Sequence, residues 1–121
     1  MKIADVFQNE KDLRDYDAGD IIFEQGSEGN VMYAVIEGEI ELLCQDALFD
    51  TLSTGDIFGE MALIDHTTRS ATARAKTAAK VAIVNQRRFL WLVQETPMFA
   101  LQVMSVMANR IRKLDKALSS V

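Results

Sequence analysis

The middle of the chain alternates short apolar runs with glycines, and this pattern restricts the fold more than any other feature of the sequence. All six glycines lie between Gly19 and Gly59, and no proline interrupts the runs. Short strands separated by turn residues at regular intervals are typical of β-sandwiches and barrels. The predicted strands cover residues 21–23, 31–36, 40–44, 48–52, 70–75 and 81–84. We therefore expect a mainly β fold.

Helices are predicted on either side of these strands. Residues 5–10 have the pattern of a short helix with Asp5 as its cap. Pro97 is placed to start a final helix that runs to Leu118. Residues 86–94 are predicted to form a further helix, whose buried side chains should be Phe89, Leu90, Leu92 and Val93.

The final helix carries an apolar seam. Five apolar residues recur on it at spacings of three and four: Met104, Met107, Ile111, Leu114 and Leu118. This is the a/d pattern of helices that pair, and it predicts a homodimer through residues 104–118. The alternative is that the stripe packs onto the chain's own barrel, as we expect for Phe99, Leu101 and Val103. From Ile111 onwards we expect the helix to extend past the barrel.

Composition indicates one ordinary domain. The 121 residues are 49% apolar and 26% charged, which suits a single soluble domain with a real core. No apolar run is long enough to cross a bilayer and no signal segment opens the chain, so we expect no membrane association. Cys44 is the only cysteine, which predicts a buried strand residue in a reducing, cytoplasmic compartment. We divide the domain 1–121 into an N-terminal helix (1–14), a β-barrel (15–86) and C-terminal helices (87–118).

Charge is uneven along the chain. Residues 1–60 hold 3 Lys or Arg against 15 Asp or Glu, whereas residues 61–121 hold 10 against 3. A basic half can indicate a nucleic-acid surface, but the net charge is −5 and the basic residues are spread over strand ends and a helix. We therefore expect no direct DNA binding.

Residues 58–75 hold the chemistry that points to a ligand. A glycine and a glutamate, Gly59 and Glu60, open one or two turns of helix, and Arg69 follows nine residues after the glutamate. Free N–H groups at a helix N-terminus and a guanidinium both attract phosphate oxygens. A glutamate beside such a site repels phosphate, so it must bind a neighbouring group such as a sugar hydroxyl. Phosphate and ribose together indicate a nucleotide.

This segment resembles the phosphate-binding cassette, here residues 58–72, of cyclic nucleotide-binding domains. Such domains occur in catabolite activator proteins, protein kinase A regulatory subunits and cyclic-nucleotide-gated channels. The resemblance extends over about residues 15–118, and it implies an antiparallel eight-stranded jelly-roll β-barrel with flanking helices. It also implies that Glu60 binds the ribose 2′-hydroxyl, and that Arg69 and the N–H groups of Ala62 and Ser70 bind the cyclic phosphate. The remaining cassette residues expected at the ligand are Gly59, Met61 and Ala71.

The cap over the base is where the chain departs from the catabolite activator pattern. In the catabolite activator branch, hydroxyl residues of the last helix contact the base, but Leu114 and Asp115 stand there in this chain. Arg110 lies where the arginine cap of channel-type relatives falls, and its guanidinium could stack on the base. A surface arginine beside the seam is the alternative. Ser70 could contact either the phosphate or the amine of a guanine.

The sequence favours a binder over an enzyme. Metal sites of cupin-like barrels need several histidines, whereas this chain has only His66, expected in an exposed loop, so no metal or cofactor is predicted. We expect a regulatory module that binds cyclic AMP more readily than cyclic GMP and signals by repositioning its C-terminal helices, on a protein partner in trans if it acts alone. Two alternatives remain: a dimerisation scaffold that needs no ligand, and the remnant of a transcription regulator without its DNA-binding domain.

Overall fold

The computed structural model describes residues 6–7 and 9–119, with side chains described as far as Lys116. Its strands are β1 (Leu13–Tyr16), β2 (Ile21–Phe23), β3 (Val31–Glu37), β4 (Ile40–Cys44), β5 (Ala47–Leu52), β6 (Ile57–Phe58), β7 (Thr72–Ala75) and β8 (Ala79–Asn85). Its helices are α1 (Glu60–Asp65), α2 (Gln86–Glu95) and α3 (Met98–Ser119).

The strands form two four-stranded sheets in which every described pairing is antiparallel. One sheet has the order β1-β8-β3-β6 and the other β2-β7-β4-β5. Tyr33 faces Ile83 across the first sheet, and Leu42 faces Ala73 across the second. The prediction of a mainly β, antiparallel fold with flanking helices is confirmed.

β3 lies at the centre of the core because both of its faces are buried. Successive side chains of a strand point to opposite faces. Tyr33 and Val35 therefore pack between the two sheets. Met32 and Ala34 pack towards the helices, in a separate cluster that we call the helix-side core. This explains why the sequence of β3 is a continuous apolar run rather than an alternating one.

The helices bury a narrower face than predicted. Leu92 is buried, and Phe89 and Val93 pack against the helix-side core, but Leu90 is 58% exposed. On α3, Phe99 and Val103 are buried, whereas Leu101 is 56% exposed. The predictions for Leu90 and Leu101 were wrong because a helix of 3.6 residues per turn places Leu101 about opposite its buried stripe and Leu90 about a quarter turn to the side of its own.

The predicted seam of α3 is divided between two faces. Met107 packs against the helix-side core and Leu114 is half-buried, while Met104 and Ile111 are exposed. The side chain of Leu118 lies outside the described residues. The helix also does not extend past the barrel at Ile111, because Arg110 and Lys113, on either side of that residue, both contact Asp50 of β5.

Several boundaries differ from the sequence predictions. β1 and β6 were not predicted as strands, and β1 begins inside the segment 1–14 that was assigned to the N-terminal helix. β1 is mostly exposed and β6 has only two residues, so neither gives a periodic signal. In the predicted helix 5–10, Val6 is helical and Asn9 and Glu10 are not, while Asp5 and Gln8 lie outside the described residues. Cys44 is buried at the end of β4, as expected.

Candidate functional site

The predicted cassette begins at a sharp turn between β6 and α1. Gly59 has φ 77°, a left-handed conformation that favours glycine, and it directly precedes the first residue of the helix. A Cβ atom added to Gly59 would lie 2.8 Å from Nη1 of Arg69. The turn therefore brings the start of α1 close to the guanidinium, and only a residue without a side chain fits between them.

Glu60 is buried and paired with an arginine from α3. Its side chain is 1% exposed, and Arg110 Nη1 donates to its two oxygens at 3.1 and 3.3 Å. The same nitrogen donates to the backbone carbonyl of Ile57 at 3.1 Å. Arg110 itself is 8% exposed, so the alternative of a surface arginine beside the seam is wrong.

Burial raises the pKa of the Glu60 carboxyl above its ordinary value of 4.5. The Arg110 guanidinium opposes that shift, as do a backbone hydrogen bond at the start of α1 and the charge of Arg69. Asp50 adds to it. Among the described residues, Arg110 is therefore the group that most offsets the cost of burying the Glu60 carboxylate.

The guanidinium of Arg69 is held by uncharged groups. It is 4% exposed, its Nη1 donates to the carbonyl of Gly59 at 2.9 Å, and its Nη2 donates to the carbonyl of Val31 at 2.9 Å. Its Cζ lies 4.2 Å from the centre of the Phe23 ring and 5.7 Å from that of Tyr33. These contacts fix the plane of the guanidinium without neutralising its charge.

The charge of Arg69 lacks a carboxylate partner among the described residues. None of them forms an ion pair with it, and its buried Nε has no hydrogen-bond acceptor in the described part of the chain. Burial lowers the pKa of the guanidinium, while Tyr33 and Glu60 act to raise it. A buried cation held only by neutral groups is costly, and an entering anion would compensate it.

Gly29 makes this arrangement of Arg69 possible. A Cβ atom added to Gly29 would collide with Nε and Cζ of Arg69, although the backbone at Gly29 is not in the left-handed region. We expect Gly29→Ala to displace the guanidinium from its two carbonyls and to lower the free energy of unfolding by about 1–2 kcal/mol.

Urea denaturation of a double-mutant cycle measures this effect. In an Arg69→Ala background, Gly29→Ala should cost nothing, because the added methyl group then meets no guanidinium. An equal cost in both backgrounds would mean that Gly29 is needed for another reason.

One pocket contains all of the predicted site residues. It is lined by Gly59, Glu60, Met61, Ala62, Arg69, Ser70, Ala71 and Arg110, and also by Phe23, Leu42 and Phe49. The three added residues come from strands that are distant in sequence, and nothing in the sequence marked them. The cavity volume is about 30 Å³, enough for a water molecule or two.

The smaller cassette residues that line the pocket differ in exposure. Ser70 is exposed and its hydroxyl lies 3.7 Å from the sulfur of Met61, while Ala62 and Ala71 are buried.

His66 lies at the end of α1 and is exposed, as expected. Its φ of 55° ends the helix, and its backbone N–H donates to the carbonyl of Ala62.

Neither a metal cluster nor a membrane span is found in the part of the chain that the structure describes. No group of three or more His, Cys, Asp or Glu side chains there is arranged to hold a metal ion. No described helix is both long enough and apolar enough to cross a bilayer.

Comparison with known proteins gives a consistent result. A family model described as cyclic nucleotide-binding domain matches residues 13–96. The cAMP-dependent protein kinase regulatory subunit of Schizosaccharomyces pombe is 42% identical over 90 residues, which are 74% of this chain and 21% of that protein.

Two solved structures share the fold at higher coverage. The crystal structure of Thermus thermophilus catabolite activator protein matches with a TM-score of 0.78 at 30% identity, covering 97% of this chain and 55% of that one. A structure from a cyclic-GMP-dependent signalling pathway that regulates bacterial phytopathogenesis matches with a TM-score of 0.75 at 28% identity, covering 88% and 89%. The chain spans only 21% to 50% of the length of the first curated relatives that it matches.

Proposed function

Because the chain belongs to the cyclic nucleotide-binding domain family, we propose that it binds a cyclic nucleotide in the pocket between α1 and α3 and acts as a regulatory module rather than an enzyme. One observation carries this proposal: Arg69 is a buried cation without a carboxylate partner among the described residues, and it lines the pocket beside the first turn of α1. A cyclic phosphate would supply the missing negative charge.

Separate groups in the pocket would bind the phosphate and the sugar. Arg69 and the N–H groups of Ala62 and Ser70 would bind the phosphate, and Glu60 would accept a hydrogen bond from the ribose 2′-hydroxyl. An ionised carboxylate offers about four lone-pair sites. Only part of this capacity is used by Arg110, so Glu60 can accept from a hydroxyl whether Arg110 stays paired with it or is displaced.

Movement of α3 would transmit the signal. Arg110 is one wall of a cavity of about 30 Å³, whereas pockets for small ligands are roughly 300–1,000 Å³. A nucleotide would therefore have to displace Arg110 or the helix that carries it. The output is then a change in the surface of α3, read by a protein partner or by another part of a longer chain. We place the module in the cytoplasm, where it would meet this messenger.

Isothermal titration calorimetry with cyclic AMP, cyclic GMP and 5′-AMP tests the proposed function. We expect saturable binding of at least one cyclic nucleotide and much weaker binding of the open monophosphate. No heat with either cyclic nucleotide, from protein shown to be folded by circular dichroism, would contradict the proposal. The ligand-independent scaffold would then be the better explanation.

Cyclic AMP should bind at least as tightly as cyclic GMP, with a difference of about tenfold or less, which one marginal hydrogen bond can supply. Relatives do not decide the base: the Schizosaccharomyces pombe protein is named for cAMP and the phytopathogenesis structure for cyclic GMP. Ser70 is exposed at the pocket and keeps a hydroxyl that could contact guanine.

Competition titration of wild type and Ser70→Ala with both nucleotides measures this preference. The variant should lose more affinity for cyclic GMP than for cyclic AMP. A hundredfold preference of the wild type for cyclic GMP would show that the guanine contact dominates.

We further propose that the module forms homodimers through α3, on a stripe that differs from the predicted seam. Leu101, Met104 and Ile111 are 56%, 59% and 53% exposed, and with Ala108 they follow a three-four-three spacing. Leaving such side chains in water forgoes roughly 1.5–3 kcal/mol each, and an isologous pairing of two α3 helices would bury them.

Light scattering at increasing protein concentration and moderate salt tests the dimer. Met104→Asp with Ile111→Asp should give a monomer, whereas Leu90→Asp, an equally exposed site on α2, should not. Arg112 is exposed next to Ile111, and an isologous pairing would bring two copies of the stripe together, so association should strengthen as salt screens the repulsion between the two arginines. A wild type that remains monomeric throughout would contradict the dimer.

A further inference from the structure

A second acid, Asp50 of β5, ties α3 to the barrel. Its Oδ2 lies 3.6 Å from Arg110 Nε, and its Oδ1 lies 3.0 Å from Lys113 Nζ. Lys113 follows Arg110 by three residues, so both cations project from one face of α3. Lys113 was not expected to contact the barrel, and Asp50 was not among the predicted site residues.

Asp50 and Glu60 hold Arg110 from two different elements. Asp50 lies on β5 and is 13% exposed in its side chain, while Glu60 lies on α1 and is 1% exposed. Arg110 therefore bridges the strand and the cassette across the pocket that both border. The pair with Arg110 is buried but is a contact between charges without a hydrogen bond, because Arg110 Nε has no acceptor among the described residues. The pair with Lys113 is hydrogen-bonded, but the Lys113 side chain is 42% exposed, so solvent screens its charge and this pair should contribute less.

We propose that the Asp50 cluster, defined as Asp50, Arg110 and Lys113, is a latch that holds α3 closed over the nucleotide pocket and competes with nucleotide entry. This inference rests on the proposed function. The cavity beneath the latch has a volume of about 30 Å³, so the pairs must open or rearrange before a nucleotide fits. The latch sets the affinity, because the apparent dissociation constant rises as the binding-competent fraction falls.

Asp50→Asn is the direct test. The asparagine keeps an oxygen that can accept from the N–H of Thr51, as Asp50 Oδ1 does at 3.0 Å, but it cannot form the two ion pairs. Asp46→Asn is the matched control, because it removes the same charge from the turn that leads into β5, where Asp46 is exposed. Lys113→Gln removes only the more exposed pair and should act in the same direction with a smaller effect.

Two measurements separate the latch from the nucleotide. Hydrogen exchange of the α3 amides over residues 106–116, measured without nucleotide, should be faster in Asp50→Asn and unchanged in Asp46→Asn. Titration calorimetry with cyclic AMP should then show affinity raised about threefold or more in Asp50→Asn, because more molecules are open at the outset.

The two measurements distinguish failure of the latch from failure of nucleotide binding. Unchanged α3 exchange, or affinity that is unchanged or weaker in Asp50→Asn, would overturn the latch while leaving nucleotide binding by the wild type intact. Weaker affinity in particular would mean that Asp50 holds the nucleotide itself. Faster α3 exchange in Asp50→Asn, with no cyclic nucleotide bound by any variant, would refute the proposed function and still support the latch contact.

Discussion

Arg69→Met should weaken cyclic nucleotide binding at least tenfold without lowering the stability of the fold. The lost interaction is a charge-assisted contact to phosphate, on the order of 1.5–3 kcal/mol. Stability should hold or rise, because Arg69 is buried against neutral carbonyls and the Phe23 ring, and methionine fills the same space without a charge to desolvate. Calorimetry of binding and urea denaturation of the same samples measure the two effects.

Arg74→Met is the matched control for this experiment. Arg74 lies on β7 outside the pocket, and its exposed guanidinium pairs with Glu41 at 3.3 Å. The same substitution there should leave nucleotide affinity unchanged. Full affinity in a folded Arg69→Met variant would remove the phosphate role from Arg69, and with it the main support for the proposed function.

The part of the site that is contiguous in sequence could be predicted. Residues 59–62 and 69–71 belong to one helix start and the loop that follows it, and their resemblance to the cassette, which is one continuous segment, predicted that they line a pocket together. Arg110 was predicted by resemblance to the arginine cap of channel-type relatives, and its distance from Pro97 along a helix located the matching position. The structure brings all of these residues to one cavity, while their individual roles remain proposals.

The contacts between distant elements could not be predicted. Nothing in the sequence pairs Asp50 with Arg110, because a strand acid and a helix arginine sixty residues apart meet only through the fold. The placement of Arg69 on carbonyl oxygens depends in the same way on the bare backbone of Gly29 and Gly59.

The orientation of α3 was the least predictable feature of the fold. Its apolar residues cover more than half of its circumference, so several stripes fit a helical repeat equally well. The buried ion pair of Arg110 with Glu60 fixes the rotation and places Leu101 and Met104 in solvent. The seam was therefore assigned partly to the wrong face.

Arg110→Met should destabilise the fold by on the order of 3–5 kcal/mol at neutral pH, because it leaves the buried carboxylate of Glu60 without its cation. This is the largest loss of stability that we expect from a single substitution in the pocket. Urea denaturation of wild type and variant at pH 7 measures it. Glu60→Gln in the same chain should restore most of the loss, because a neutral amide is far less costly to bury.

The pH dependence of that loss gives a stricter test. Burial raises the pKa of Glu60 above 4.5, so the folded protein binds more protons than the unfolded chain between pH 4.5 and the folded pKa. The free energy of unfolding should therefore fall as pH rises through that window. Without Arg110 the pKa of Glu60 rises further and the fall in the free energy of unfolding continues to higher pH.

The difference in free energy of unfolding between Arg110→Met and the double variant Arg110→Met, Glu60→Gln isolates the contribution of Glu60, because the two proteins differ only at that carboxyl group. If that difference does not change between pH 4.5 and 8, Glu60 is not the group that Arg110 keeps charged.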